Sequence, residues 1–375
     1  MNSAIDTAAD PALQRLVDQV RAAHSDARPL AIRGGGTKDF YGGAGTGEPL
    51  ETGALRGISS YEPTEMVITA RAGTPLREIE DVLQQRGQHL AFEPPRFGAA
   101  GGQATLGGMV AAGLAGPARS SAGGVRDFVL GACVLTGRGE LLRFGGQVMK
   151  NVAGYDVSRL FVGSMGVLGV ICEVSLKVPP IAAARTTVEV PCNQAQALRQ
   201  VHEWLRSALP ISASAWHDNI LRVRLCGALA AVRAGAARLV EQSGARIVEQ
   251  DAAQAYWNGL RDQQDAFFTS GRAPESGATL WRLSVPATHS PLDLPGNTLL
   301  EWNGAQRWLF SSAPAAQLQE LAARAGGHAS VFRAAQRGAE FLAPLSPALE
   351  RIHRALKQSF DPAGIFNRGR LYPWL

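Results

Sequence analysis

The glycines of this chain are unevenly distributed, and this limits what its first half can fold into. Of 42 glycines, 29 lie between Gly34 and Gly169, whereas residues 181–340 contain 11. Glycine concentrates where the backbone takes a positive φ or comes close to a ligand. These glycines alternate with strand and helix patterns, which argues against a low-complexity region. We therefore expect a bulky cofactor to lie along the backbone of the first half.

Composition excludes several classes of protein. The 375 residues are 46% hydrophobic and 18% charged, enough for two or three globular domains. The net charge of +5 comes with no run of five basic residues, so a nucleic-acid-binding stripe is not predicted. The four cysteines show no C-x-x-C spacing, which argues against zinc, iron–sulfur or disulfide frameworks in this chain. With no signal peptide and no apolar run of membrane-spanning length, we expect a cytoplasmic protein.

Periodicity predicts an α+β protein whose first domain begins with alternating helices and strands. Asp10 and Pro11 begin a predicted amphipathic helix, and a strand at residues 30–32 leads into the first glycine loop. Residues 66–71 and 89–92 are predicted strands on either side of a helix. Residues 128–144 are predicted to form a hairpin. The double proline at 179–180 and the lower glycine content beyond it predict domains at 1–180 and 181–340, with 341–375 returning to the first.

Common phosphate-binding motifs are absent. No lysine fits the P-loop spacing, no glycine cluster fits G-x-G-x-x-G, and G-x-S-x-G does not occur. What remains is Gly34, Gly35 and Gly36 after a strand, flanked by Arg33 and Lys38. Successive N–H groups in such a loop form a nest for an anion such as pyrophosphate. From these residues alone, a flexible turn is an equal alternative.

Five ordered blocks carry a resemblance to a known family. They are residues 31–38 (A-I-R-G-G-G-T-K), 105–111 (T-L-G-G-M-V-A), 123–131 (G-G-V-R-D-F-V-L-G), 150–171 and 360–370 (F-D-P-A-G-I-F-N-R-G-R). Together they resemble the FAD-binding segments of the vanillyl-alcohol-oxidase (PCMH-type) flavoproteins. The resemblance implies a PCMH-type FAD-binding domain of two α/β subdomains, an α+β cap domain, and FAD as cofactor.

The resemblance also implies which residues bind FAD. They are Arg33, Gly34, Gly35, Gly36, Thr37, Lys38, Thr105, Leu106, Gly107, Gly108, Gly123, Gly124, Arg126, Asp127, Gly169, Val170, Ile171 and Asn367. Members with covalent flavin carry a histidine in the first loop, where this chain has Thr37, so we expect non-covalent FAD. The N-P-G ending of the family is Asn367-Arg368-Gly369 here, which is expected to affect rigidity more than chemistry.

The cap departs from the family in a way that bears on catalysis. Related 2-hydroxyacid dehydrogenases have paired histidines and acids that bind a metal near the substrate. Here His328 is the only comparable residue, so no metal site is predicted and the catalytic residue is unknown. Asp156 and Arg159 are read as a structural pair, although flavin or substrate contacts are an alternative. Arg222 and Arg224 are expected on a solvated face, and the six cap tryptophans in the core or at an interface.

Within the family, the first loop and the ending R-L-Y-P are most similar to the FAD-binding subunits of bacterial glycolate oxidases. This similarity implies oxidation of a small 2-hydroxy acid within a complex. The implied partners are a homologous catalytic flavoprotein subunit and an iron–sulfur subunit, which could place the protein at the inner face of a membrane. Two alternatives stay open at this point: a self-sufficient FAD-dependent D-lactate or 2-hydroxyacid dehydrogenase, and a non-catalytic FAD-bearing assembly subunit.

Overall fold

A computed structural model describes residues 10–98, 103–146, 156–270, 278–335 and 341–375. Its helices are α1 (Pro11–Ser25), α2 (Leu76–Gln84), α3 (Leu106–Ala112), α4 (Arg119–Ala122), α5 (Val125–Phe128), α6 (Gln194–Leu205), α7 (Leu229–Ser243), α8 (Gln250–Arg261), α9 (Ala266–Ser270), α10 (Ala315–Arg324) and α11 (Pro347–Phe360). Its strands are β1 (Leu30–Arg33), β2 (Glu48–Glu51), β3 (Ile58–Glu62), β4 (Val67–Arg71), β5 (Val129–Leu135), β6 (Leu141–Gly145), β7 (Val170–Lys177), β8 (Ala184–Pro191), β9 (Ile211–His217), β10 (Ile220–Gly227), β11 (Arg246–Ile247), β12 (Thr279–Ser284), β13 (Thr298–Glu301), β14 (Gln306–Ser311) and β15 (His328–Arg333).

The strands form three sheets that follow chain order. The parallel pair β1–β2 stands beside a five-stranded antiparallel sheet of order β3-β4-β7-β5-β6. All later strands belong to an eight-stranded sheet of order β11-β8-β10-β9-β13-β14-β12-β15. The first seven strands therefore lie within residues 30–177 and the remaining eight within residues 184–333. The domain division at residues 180 and 340 stays a prediction, and this segregation of the sheets is compatible with it.

The first helix forms as its sequence predicts. The carboxylate of Asp10 accepts hydrogen bonds from the N–H groups of Ala12 and Leu13, which would otherwise lack partners at the helix start. Leu16, Val17 and Val20 are buried on one face. They pack in a core with residues of β1, β2 and the C-terminal segment. This core holds the parallel strand pair, and with it the first glycine loop, against the rest of the domain.

The predicted strand at residues 89–92 is wrong. Leu90 and Phe92 are buried, but the segment is an irregular loop fixed by the hydrogen bond from the His89 N–H to the Pro179 carbonyl. Glu93 has φ +49°, which is incompatible with continuing an extended strand. By contrast, the predicted hairpin is confirmed by the pairing of β5 with β6.

The segment after α11 returns to the first sheet. The carboxylate of Asp361 is buried and accepts hydrogen bonds from the N–H groups of Ile365 and Phe366. The ammonium of Lys357 lies 2.8 Å from Asp361 and donates to the carbonyls of Val167 and Phe366. This network directs residues 366–370 towards β1 and the first glycine loop.

Candidate functional site

The first glycine loop lines a cavity of about 560 Å³, counting space open to solvent. β1 ends at Arg33, and Gly36 has φ +72°, a conformation that an L-residue with a side chain adopts only at a cost. The backbone N–H groups of residues 34–38 donate to no other residue in the described part of the chain. A row of free N–H groups facing a cavity is what an anion requires, so the nest is favoured over the flexible turn.

The second loop forms a wall of the same cavity and offers it few donors. Thr105 begins α3, and its hydroxyl accepts a hydrogen bond from the Gly108 N–H. The N–H groups of Leu106 and Gly107 donate to the carbonyls of Thr74 and Ala72. Thr105 and Gly108 line the cavity, whereas Leu106 and Gly107 are buried against the core. A Cβ on Gly107 would lie 2.7 Å from the Ala72 Cβ, so this glycine permits close packing of α3 on β4.

Asn367 completes the cavity from the far end of the chain. Its Oδ1 accepts a hydrogen bond of 2.7 Å from the Ile32 N–H, and its Nδ2 donates to the Met165 carbonyl at 2.6 Å. The residue is buried and has φ 43°, a left-handed conformation that asparagine tolerates. Asn367 therefore fixes β1 relative to the turn at residues 165–166.

Sequence reasoning missed Arg370 and Met165 as cavity residues. The guanidinium of Arg370 donates to the carbonyls of Lys38, Asp39 and Gly43, so it holds the first loop through its backbone. Arg370 lies in the last of the five sequence blocks, but nothing in its spacing distinguishes it from a solvated arginine. Its role depends on a contact across more than 320 residues of chain.

Lys38 supplies the cavity with a buried positive charge. Burial lowers the pKa of its ammonium to about 8, and the charge of Asp262 only partly opposes this. Its neighbours are the Thr37 hydroxyl at 3.5 Å and the Phe97 ring, whose centroid is 5.5 Å away. No carboxylate forms an ion pair with Lys38 within the described ranges. An anionic ligand would stabilise the charged form and raise this pKa.

The other predicted cofactor residues lie outside this cavity. The N–H of Gly124 donates to the Asp127 carboxylate at 2.8 Å, so this donor of the third loop has its partner within the loop. Arg126 is exposed. Gly123 has φ +99° before this turn. Gly169 precedes β7, in which Val170 and Ile171 are buried. Residues 150–155 of the fourth block lie outside the described residues. Cofactor contacts by all of these residues stay predictions.

A second cavity, which we call the interdomain cavity after the predicted domain boundary at residue 180, adjoins the first. It is lined on one side by residues of the first 180, including Phe97 and Leu114, and on the other by residues of the eight-stranded sheet, including Arg282, Glu301 and Trp308. Two contacts join the cavities: the position of Lys38 over Phe97, and a hydrogen bond of 3.1 Å from Arg282 to the Tyr41 hydroxyl. A ligand extending from the glycine loop would therefore reach groups of the eight-stranded sheet.

Two expectations about charged residues have different outcomes. Asp156 and Arg159 form an ion pair of 2.8 Å, so the predicted pairing is confirmed, whereas flavin or substrate contacts by these residues stay a prediction. The solvated face predicted for Arg222 and Arg224 is wrong for Arg224, which is buried and pairs with Glu93. His328 is exposed at the start of β15. In the part of the chain that the structure describes, no group of three or more His, Cys, Asp or Glu side chains could hold a metal ion.

Comparison with known proteins identifies the family. The profile described as "FAD binding domain" matches residues 12–145. Glycolate oxidase subunit GlcE of Escherichia coli (strain K12) is 47% identical over 359 residues, which cover 96% of this chain and 97% of that protein. This chain belongs to the GlcE family. D-lactate dehydrogenase of Archaeoglobus fulgidus is also similar, at 29% identity over 59% of this chain and 49% of that protein.

Solved structures support the fold of the GlcE-family chain. Substrate-bound p-cresol methylhydroxylase superposes with a TM-score of 0.71, covering 96% of this chain and 87% of that chain. Alkyldihydroxyacetonephosphate synthase superposes with a TM-score of 0.65, covering 94% and 75%. Both are 15% identical to this chain, so they show the fold alone. The predicted PCMH-type α+β fold is thereby confirmed, and FAD as cofactor is confirmed by the FAD-binding profile and the 47% identical relative.

Proposed function

We propose that this chain is the FAD-binding subunit of a complex that oxidises glycolate, or a similar 2-hydroxy acid, to the 2-oxo acid. The observation that carries the proposal is the 47% identity to the glycolate oxidase subunit GlcE along nearly the whole of both chains. When bound, FAD would supply the two-electron oxidation of the substrate's C2 alcohol, and the proposed iron–sulfur partner would take up the electrons. A homologous catalytic flavoprotein is the third proposed component.

The residues of the first cavity fit the anionic part of FAD. The free N–H groups of residues 34–38 are suited to hold the pyrophosphate, and Lys38 adds a charge that no carboxylate among the described residues neutralises by pairing. Asn367 and Arg370 position this loop, and Arg370 also lines the cavity with its positive charge. Residues 33–38 of the first loop, with Thr105 and Gly108 of the second, are thus proposed as the principal FAD contacts.

Non-covalent attachment follows from the residue at the first loop. Thr37 stands where covalent members carry histidine, and a hydroxyl is a poor nucleophile at its ordinary pKa. We expect acid precipitation of the purified protein to release all flavin into the supernatant. Yellow colour that stays with the washed pellet would contradict non-covalent binding.

The experiment that tests the subunit proposal compares the chain alone with the assembled complex. We expect the FAD-loaded chain alone to oxidise glycolate and D-lactate negligibly with an artificial acceptor. Co-expression with a homologous catalytic flavoprotein and an iron–sulfur protein should give a complex that co-purifies and turns over. Turnover of several per second by the isolated monomer, an ordinary enzymatic rate, would instead establish a self-sufficient dehydrogenase.

A further measurement separates a catalytic flavin from a structural one. In the complex, the flavin of this chain should be reduced by glycolate under anaerobic conditions, which is followed by its absorbance after reconstitution with a spectrally distinct FAD analogue. A flavin that stays oxidised while the partner's flavin is reduced would indicate the assembly role. Among the described residues, no helix is long and apolar enough to cross a bilayer.

A further inference from the structure

Glu301 is a buried acid that faces the interdomain cavity. It ends β13, and only 4% of its surface is exposed. Its Oε2 accepts hydrogen bonds from the Trp308 Nε1 at 2.6 Å and the Gln306 Nε2 at 3.0 Å. Over the described ranges, no donor reaches its Oε1. The carboxyl thus has one oxygen fixed by neutral donors and one oxygen available to a ligand.

A nearby glutamate shows what Glu301 lacks. Burial alone would raise the pKa of Glu93, but the charge and hydrogen bonds of Arg224 outweigh burial and lower it. Glu301 is equally enclosed and pairs with no cation among the described residues. Burial therefore raises its pKa to about 7, despite the hydrogen bonds from Trp308 and Gln306. Near neutral pH, a large share of Glu301 is an uncharged acid that can donate a hydrogen bond.

The charged groups around Glu301 increase the difference between its pKa and that of Glu93. The negative charges of Glu93 and Asp265 raise its pKa further. Arg261, on α8, lines the same cavity but is paired with Asp262 at 2.7 Å. Arg224 is occupied by Glu93. The remaining cation of the lining is Arg282, on β12.

Arg282 is a cation without an acidic partner among the described residues. Its guanidinium donates to the Tyr41 hydroxyl and lies within 6 Å of the Tyr41 and Phe332 ring centroids, contacts that orient it without neutralising it. The interdomain cavity therefore presents an unpaired guanidinium and an unpaired carboxyl. A carboxylate ligand would complement both.

We propose that the interdomain cavity binds a small carboxylate of the 2-hydroxy or 2-oxo acid class, with Arg282 pairing the carboxylate and the protonated Glu301 donating a hydrogen bond to the ligand. This inference rests on the proposed function for the identity of the ligand. It assigns a ligand-binding role to Glu301 where the sequence offered no candidate. Ligand binding above neutral pH then takes up one proton, because a charged Glu301 would repel the anion.

The test titrates the full-length, FAD-loaded chain with pyruvate, a 2-oxo acid that has no hydrogen on C2 in its keto or its hydrated form, so that oxidised flavin cannot remove a hydride from that carbon. Isothermal titration calorimetry between pH 5.5 and 9, in amine-free buffers of different ionisation enthalpy, gives the affinity and the protons taken up. For the wild type we expect constant affinity at low pH and, above about pH 7, a fall approaching tenfold per pH unit. Uptake should approach one proton per ligand there.

Three variants and a control isolate the two side chains. Glu301→Gln keeps a neutral donor of the same shape, so binding should persist and its pH dependence should disappear. Trp308→Phe removes a hydrogen bond that favours the charged carboxyl, so the fall in affinity should move to higher pH. Arg282→Gln should weaken binding at least tenfold at every pH. Glu241→Gln, at an exposed position on α7, should behave as the wild type.

The inference is overturned by wild-type binding that is independent of pH, by a pH dependence that survives in Glu301→Gln, or by a folded, FAD-loaded chain that binds no pyruvate at millimolar concentration. If Glu301→Gln does not fold, Trp308→Phe decides: a fall in affinity that moves to higher pH supports the inference, and one that moves to lower pH or stays in place overturns it. An active complex together with a failed titration would overturn this site and leave the subunit proposal intact. A chain that neither binds FAD nor supports activity in the complex would overturn the proposed function itself.

Discussion

Arg224 and Glu93 form a two-point ion pair between the eight-stranded sheet and the loop that follows α2. The Nη1–Oε1 distance is 2.8 Å and the Nη2–Oε2 distance is 3.0 Å. The same Oε2 accepts a hydrogen bond from the Ala118 N–H, which fixes the Glu93 carboxylate within the first 180 residues. Arg224 is 2% exposed, and its guanidinium lies near the Trp257 ring. This pair is a direct polar link between the first 180 residues and the eight-stranded sheet.

We expect Arg224→Met to lower the free energy of unfolding by about 3–5 kcal/mol, because it leaves the Glu93 carboxylate buried and unpaired. Arg224→Met with Glu93→Gln should recover much of this loss. Urea denaturation followed by tryptophan fluorescence measures both. Arg233→Met, at an exposed position, is the matched control and should change stability by less than about 0.5 kcal/mol. Equal losses in the single and double variants would show that the pair is not the cause.

The same pair gives stability a dependence on acid. Because the pKa of Glu93 is lower in the folded protein than its ordinary value of 4.5, the unfolded chain binds more protons in this range. The contribution of the pair is therefore complete above about pH 5 and is lost as pH falls through the folded pKa. Comparing unfolding of wild type and Glu93→Gln from pH 3 to 6 checks this, and a difference that does not change with pH would contradict it.

Lys38 should make FAD binding sensitive to alkali. With the pKa of Lys38 near 8 before FAD binds, its ammonium loses its proton as pH rises through 8, and the attraction for the pyrophosphate is lost. We expect FAD affinity to fall between pH 7.5 and 9.5. Lys38→Met should weaken binding about tenfold or more at pH 7 and remove this part of the pH dependence. Quenching of flavin fluorescence measures the dissociation constant, and Lys177→Met, on β7, should retain wild-type behaviour.

Asn367 should couple loss of flavin to loss of stability. Asn367→Ala leaves the Ile32 N–H and the Met165 carbonyl without partners, at roughly 1–3 kcal/mol for each buried group. We expect lower stability and substoichiometric FAD in the purified protein. Asn219→Ala is a matched control, since Asn219 also has a positive φ, but in an exposed turn of the other sheet. It should lose some stability and keep its FAD, and loss of FAD in both variants would show a general folding effect.

Substitutions of Gly36 and Gly107, two glycines predicted to contact FAD, should abolish FAD binding for different reasons. Gly36→Val places a branched side chain at φ +72° in the loop beside the first cavity, so FAD binding should be lost with a modest change in stability. The side chain introduced by Gly107→Val clashes with Ala72 instead, so this variant should unfold the part of the chain around the five-stranded sheet. Replacing Ala72 by Gly in a Gly107→Ala background relieves that contact and should restore FAD, as measured by the flavin-to-protein ratio. Restoration of FAD in Gly36→Val by the same change would contradict the assignment.

Local patterns predicted much of the fold, and long-range contacts account for what they missed. The cap at Asp10, the periodicity of α1 and the β5–β6 hairpin are set within a few residues, and each was predictable. The segment at 89–92 has strand-like alternation, but its backbone is fixed by Pro179, far along the chain. No local pattern reveals this partner.

The residues of the candidate site likewise fall into those that local motifs predict and those that they do not. The glycine loop at residues 34–36 and Asn367 carry recognisable motifs, and the structure places them at one cavity. The roles of Arg370 and of the Arg224–Glu93 pair depend on which distant residues face them. The donors to Glu301 are only five and seven residues away, but its place in a cavity depends on residues of the first 180 that form the opposite wall. An arginine or glutamate in isolation is most often solvated, so sequence reasoning assigns it there.

The contacts of Asn367 and Arg370 with the first loop have a consequence for the timing of biosynthesis. The first glycine loop and the C-terminal residues that hold it are separated by more than 320 residues. The five-stranded and eight-stranded sheets are therefore translated between them. At about 5–20 residues per second, these C-terminal residues emerge from the ribosome roughly 15–70 s after the loop. Throughout that interval the glycine loop lacks the groups that hold it. Cofactor loading should therefore follow synthesis of residues 361–370, and a ribosome stalled before them would carry a nascent chain that cannot retain FAD.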